Sequence, residues 1–251
     1  MENNSASRSL PLWPIEWPAK SFAVVPSLLA ALGTICIVCV FATLGFLVFY
    51  LLGLHDFRRA SIDQLLELQA IIELPVLPYL MLVLPGLSRF SLRELGFAMP
   101  SLRSIGLAAG GAVVMIVIVQ GSATIIEHFS NAHHQQDAMK LLKRVHGAFG
   151  YSLFFATAVV IAPLVEELTF RVFVFNAVLR RAPFLAAAAC SGLLFAAAHA
   201  DVYALGPLAL GGVVLATVYY RTRNAWCSMV THALFNGVTV AVVLIAKNTV
   251  I

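Results

Sequence analysis

Long apolar runs separated by short polar breaks dominate this 251-residue chain, at about 22–54, 65–87, 104–127, 151–179, 184–200, 203–220 and 225–246. A helix needs about 20 apolar residues to cross a hydrocarbon layer, whereas a barrel strand needs only about 9–11. Backbone groups in lipid must be satisfied within the segment, so runs of this length are expected to be helices. The expected fold class is all-α, a polytopic transmembrane helix bundle of about seven spans. The second run carries Glu67, Glu73, Pro75, Pro78 and Pro85 and is expected to be kinked or shortened. The fifth run sits at the short limit for spanning. Between the runs, 88–104 reads as a basic connector and 127–150 as the longest polar loop.

Composition sharpens this picture. The chain is 61% hydrophobic and 11% charged, well below the charged fraction of soluble domains. A net charge of +4 fits basic loops lying on an anionic membrane surface. The cations are scattered through short loops and form no patch, so nucleic acid is not an expected partner; the lipid bilayer is. Alternating loops carry nine Lys/Arg on the amino-terminal side against six on the other, which favours a cytoplasmic amino terminus. The opening residues are polar and then Trp/Pro-rich, with no cleavable signal expected and with Trp13 and Trp17 as interfacial anchors. Cys36 and Cys39 form a C-x-x-C inside an apolar run, with no second pair to complete a metal site, and read as packing residues. There is no internal repeat. One domain is expected, with a tail at 1–21, membrane helices and loops over 22–150, a core at 151–246 and a tail at 247–251.

That core is set apart by charge. Glu166, Glu167 and Arg171 stand in the fourth run, His199 closes the fifth, and His232 and Asn236 lie in the seventh. Ionisable groups at membrane depth are expensive and usually face a bundle interior or mark a functional path. Adjacent Glu166 and Glu167 point about 100° apart on a helix and cannot share one task. Glu167 and Arg171, four apart, suit an ion pair, which leaves Glu166 to be aimed elsewhere. Glu166 and His199 are nearly equidistant from the Pro183 turn and are expected at one depth. His232 and Asn236 share a helix face but lie shallower by the same ruler, unless the neighbouring helices tilt or protrude.

Such a set can activate water. A desolvated glutamate serves as a general base, a histidine helps hold the water, and a second histidine with an asparagine amide can donate to an oxyanion. No H-E-x-x-H zinc signature occurs. No cofactor is expected, although zinc on Glu166, His199 and His232 is an alternative. A hydrogen-bonded network that merely joins helices would explain any one cluster, but explains all three together poorly. The histidines of the polar loop, His128, His133, His134 and His146, read as solvated. Gly206, Gly211 and Gly212 read as sites of close helix packing.

The motifs Glu166-Glu167-Leu-Thr-Phe-Arg171, Phe195-Ala-Ala-Ala-His199 and His232-Ala-Leu-Phe-Asn236 stand here in order. They resemble the E-E-x-x-x-R, F-x-x-x-H and H-x-x-x-N motifs of the CAAX-processing and bacteriocin-processing (CPBP, or Abi) intramembrane proteases. The resemblance covers about 151–246. One departure is Val172, where many members have glycine. The resemblance implies a glutamate-dependent intramembrane endopeptidase with Glu166 as base, His199 holding water, and His232 with Asn236 at the oxyanion. Glu167, Arg171 and Phe195 would support the site. The implied partner is a membrane-anchored peptide or protein substrate, and the expected location is a multi-pass protein of a prokaryotic plasma membrane. The competing expectation is a non-catalytic binder, of immunity or regulatory type, on the same fold.

Overall fold

The computed structural model describes residues 62–75, 77–78, 81–82, 93, 96–130 and 137–249, with scattered positions between 32 and 51. Trp13, Trp17, Cys36, Cys39, His133, His134, the tail at 1–21, residues 250–251 and nearly all of the first expected span lie outside the described residues. Seven helices organise the rest: α1 (Ile62–Glu73), α2 (Leu102–Ser130), α3 (Asp137–Arg144), α4 (Gly147–Leu179), α5 (Phe184–Ala198), α6 (Leu205–Thr222) and α7 (Ala225–Thr249). No strand occurs among the described residues. Among the described residues, three helices are long and apolar enough to cross a membrane: α2, α4 and α7 through Ala246. The expected spans at 184–200 and 203–220 are present as the shorter helices α5 and α6.

The second run is interrupted, as expected: its helix stops at Glu73, because Pro75 lacks the N–H that would continue it. One expectation needs correction. The loop at 127–150 is largely helical: α2 runs on to Ser130, α3 fills Asp137–Arg144, and α4 starts at Gly147, whose φ of +73° suits a residue without Cβ. Leu142 and Val145, three apart, are fully buried with Leu66, Phe154 and Val240, while Lys143 and Arg144 stay exposed. That short amphipathic stripe was masked by the charge around it.

The bundle closes on small residues and polar links, as helix association in lipid requires when apolar burial gives no preference. Ala187, Ala188, Ser191, Gly192, Phe195 and Ala196 form the buried face of α5. A Cβ on Gly192 would stand 2.5 Å from the Ala209 carbonyl, and one on Gly212 would stand 2.6 Å from the Gly192 Cα. The α5–α6 crossing therefore exists only with both glycines. Gly211 is similarly tight against Val119 and Met115, whereas Gly206 meets only the Ile126 side chain. Hydrogen bonds join the other helices. Ser191 donates to the Phe170 carbonyl (2.8 Å), Asn176 to the Tyr219 hydroxyl (2.9 Å), and Thr231 to the Ala108 carbonyl (2.9 Å). Cys190 and Cys227 are free.

One helix is irregular where the chemistry sits. Within α4, Ala156–Ile161 and Leu168–Phe175 are π-helical and flank a six-residue α-helical stretch, Ala162–Glu167. π-turns inside α-helices concentrate at functional sites. They also place more residues in each turn, so the chain rises less per residue than an α ruler assumes. Glu166 and Glu167 consequently lie nearer the Pro183 turn than regular α spacing gives.

Candidate active site

The first motif lies against the third. His232 stands between the two glutamates: its Nδ1 is 3.1 Å from Glu167 Oε1 and its Nε2 is 3.6 Å from Glu166 Oε2. A carboxylate only accepts, so Nδ1 carries the proton that goes to Glu167. Across the wider gap, a proton on either Nε2 or the Glu166 carboxyl keeps two lone pairs from facing each other.

Glu167 is sealed inside the protein. Its Oε1 lies 3.2 Å from Arg171 Nη1, an ion pair with both side chains at most 1% exposed, and its Oε2 accepts from Ser228 Oγ. The expected i, i+4 pair is thus present. Arg171 is tied down further: Nη2 donates to the Gly212 carbonyl at 3.2 Å, and the guanidinium carbon lies 4.6 Å from the centre of the Phe195 ring. Its Nη1 contact to Glu167 is electrostatic rather than a well-aligned hydrogen bond, and Nε has no hydrogen-bond partner. The aromatic face supplies part of what those donors lack. Gly212 matters twice here, because its carbonyl receives the arginine and its missing Cβ leaves the room for it.

Phe195 ties the motifs together. Its ring centre is 5.6 Å from that of Phe170, 4.8 Å from His199 and 5.6 Å from His232, all edge-on. His199 follows the last residue of α5, and Ala200 just after it turns the chain with φ +52°. His199 Nδ1 bonds to the Phe195 carbonyl at 2.9 Å. A carbonyl can only accept, so the neutral ring keeps its lone pair on Nε2. His199 is exposed and reaches the cluster through Phe195, while the histidine against Glu166 is His232.

Asn236 sits one turn beyond His232, and its amide nitrogen donates to the Ala158 carbonyl in the first π-helical stretch at 2.7 Å. Val172 is fully buried in the core beside Phe173 and Phe175. Of the loop histidines, His128 lies in the last turn of α2 and His146 is exposed ahead of α4. Among the described residues, no three His, Cys, Asp or Glu side chains are grouped so as to hold a metal ion. Glu166, His199 and His232 therefore do not fit a three-ligand zinc site in this arrangement.

Ser228 was not among the expected residues. Serine is common in membrane helices, but Ser228, His232 and Asn236 recur every fourth residue, and that stripe was the available signal. Gly192 was likewise overlooked.

Residues 148–238 match the Type II CAAX prenyl endopeptidase Rce1-like family. A Bacillus subtilis (strain 168) protein named "Putative membrane peptidase YdiL" is 27% identical over 138 residues, which is 53% of this chain and 55% of that protein. No solved structure matches the chain. The matched region contains all three motifs and every contact of the cluster, and over it the chain is similar to CAAX-type membrane peptidases.

Proposed function

We propose that the protein is an integral membrane endopeptidase that hydrolyses a peptide bond in a membrane-associated protein or peptide. The observation that carries this is the placement of His232 between two unlike carboxylates, Glu167 sealed with Arg171 and Glu166 one-quarter exposed. A network that only joined helices would have no use for the open one. Glu166 takes the proton of the attacking water, and His199 holds that water through Nε2. His232, which carries a proton on Nε2 opposite the ionised Glu166, donates towards the developing oxyanion, while Glu166 keeps the water's proton for the leaving group. Asn236 keeps a second amide hydrogen for the same oxygen. When the C–N bond breaks, the leaving amine takes the proton. The matching family and the bacterial relative support this reading, together with a location in a prokaryotic plasma membrane.

The test is cleavage of membrane-tethered peptides by protein reconstituted in lipid. Glu166→Gln keeps the shape and removes the base, so turnover should fall by about 10²–10⁴ while the variant stays folded. Wild-type turnover by a folded Glu166→Gln protein would end the proposal.

A further inference from the structure

Asn236 is held by a carbonyl that the helix itself has left open. In the first π-helical stretch of α4 the backbone bonds run from each N–H to the carbonyl five residues back, and the Ala162 N–H goes to Thr157 in that register. The next donor in the series would be residue 163, reaching back to Ala158. Residue 163 is proline and has no N–H. The Ala162 donor is already spent, so the Ala158 carbonyl receives neither neighbouring helix bond. It accepts instead from Asn236 Nδ2, 78 residues later in the chain. A carbonyl at this depth has no water to turn to and needs a donor. The packing agrees: Val159 and Val240 share a buried cluster against which Ala158 and Ala233 are packed, so α7 lies alongside this stretch.

We propose that Pro163 is a positioning residue for Asn236: by removing one backbone donor it frees the Ala158 carbonyl, and that carbonyl clamps the Asn236 carboxamide in a single orientation. The acceptor draws one amide hydrogen towards α4. This fixes the plane of the amide and leaves its second hydrogen and its oxygen in defined directions. The catalytic value of the clamp rests on the peptidase reading above, but its existence does not.

A double-substitution cycle on stability therefore comes first, read as thermal unfolding of the full chain in lipid nanodiscs. Asn236→Ala should lower Tm by roughly 2–10 °C, because it strands a carbonyl. In a Pro163→Ala background the new N–H can take that carbonyl, so the same substitution should cost less than half as much. Equal losses in both backgrounds would overturn the clamp. Hydrogen exchange supplies a readout that does not need Pro163→Ala to fold. Asn236→Ala should speed exchange across 156–165 and leave α5 unchanged; unaltered exchange across 156–165 would also overturn the clamp. Cleavage is measured last. With the clamp lost, Pro163→Ala should lower kcat with KM little changed, and adding Asn236→Ala should lower it no further than Asn236→Ala alone. If even the wild type cleaves nothing, the peptidase reading fails, while the stability cycle still decides the clamp.

Discussion

Glu167 and Glu166 are neighbours in sequence and opposites in setting. Around Glu167 everything is closed: Arg171 and Ser228 are fully buried, His232 is 3% exposed, and Gly212 completes the wall. Around Glu166 the structure opens, with a quarter of its side chain accessible and His199 exposed at the end of α5. Charges shut away in lipid contribute through geometry and neutrality, because nothing can reach them to react. Charges at the open edge do little for stability and can meet a substrate. The two settings share His232, so the closed one sets the orientation of a group that the open one uses.

Substitutions can break this division or sharpen it. The largest effect belongs to Arg171→Ala, which leaves a buried carboxylate without its cation. We expect a loss of about 3–5 kcal/mol, read as unfolding in detergent or as failure to accumulate in membranes. A folded Arg171→Ala protein of unchanged stability would mean that the closed side is not structural. Next comes His199→Ala on the open side, where stability should stay within about 0.5 kcal/mol. Turnover should drop by about a hundredfold, the lower end for an acid–base group. A large Tm loss there, with turnover intact, would erase the contrast. The smallest effect is that of Ser228→Ala, expected to cost about 1–2 kcal/mol, since Glu167 keeps its contacts to Arg171 and His232. Ser228→Thr restores the hydroxyl and should recover part of the loss. A Ser228→Ala protein that is fully stable would remove the serine from the closed layer.

Much of this was legible in the chain. The later helices followed from hydropathy, and the Glu167–Arg171 pair followed from i, i+4 spacing. Glycine packing held at Gly211 and Gly212. Distance along the bundle was less legible, because hydropathy cannot distinguish a π-turn from an α-turn. A ruler of 1.5 Å per residue set His232 too shallow for Glu166. Pro163 was visible, yet the carbonyl it leaves open can be identified only once the register of the surrounding bonds is known. The helix Asp137–Arg144 was hidden because two buried residues, Leu142 and Val145, are too few to outweigh the charges beside them. Contacts between helices distant in sequence, such as Ser228 with Glu167, leave little trace in a single sequence.

The intrahelical pairing of Glu167 with Arg171 also bears on how such a helix reaches lipid at all. Both partners lie on α4 and are complete once that segment has been synthesised, before residues 212, 228 and 232 have been made. Each side chain alone would oppose insertion by about 2.5–3.5 kcal/mol at the centre of a span. Paired one turn apart, they can enter as a neutral unit. The segment can then wait in the bilayer for α6 and α7 to supply its remaining partners, so the order of synthesis matches the order in which the charges need company.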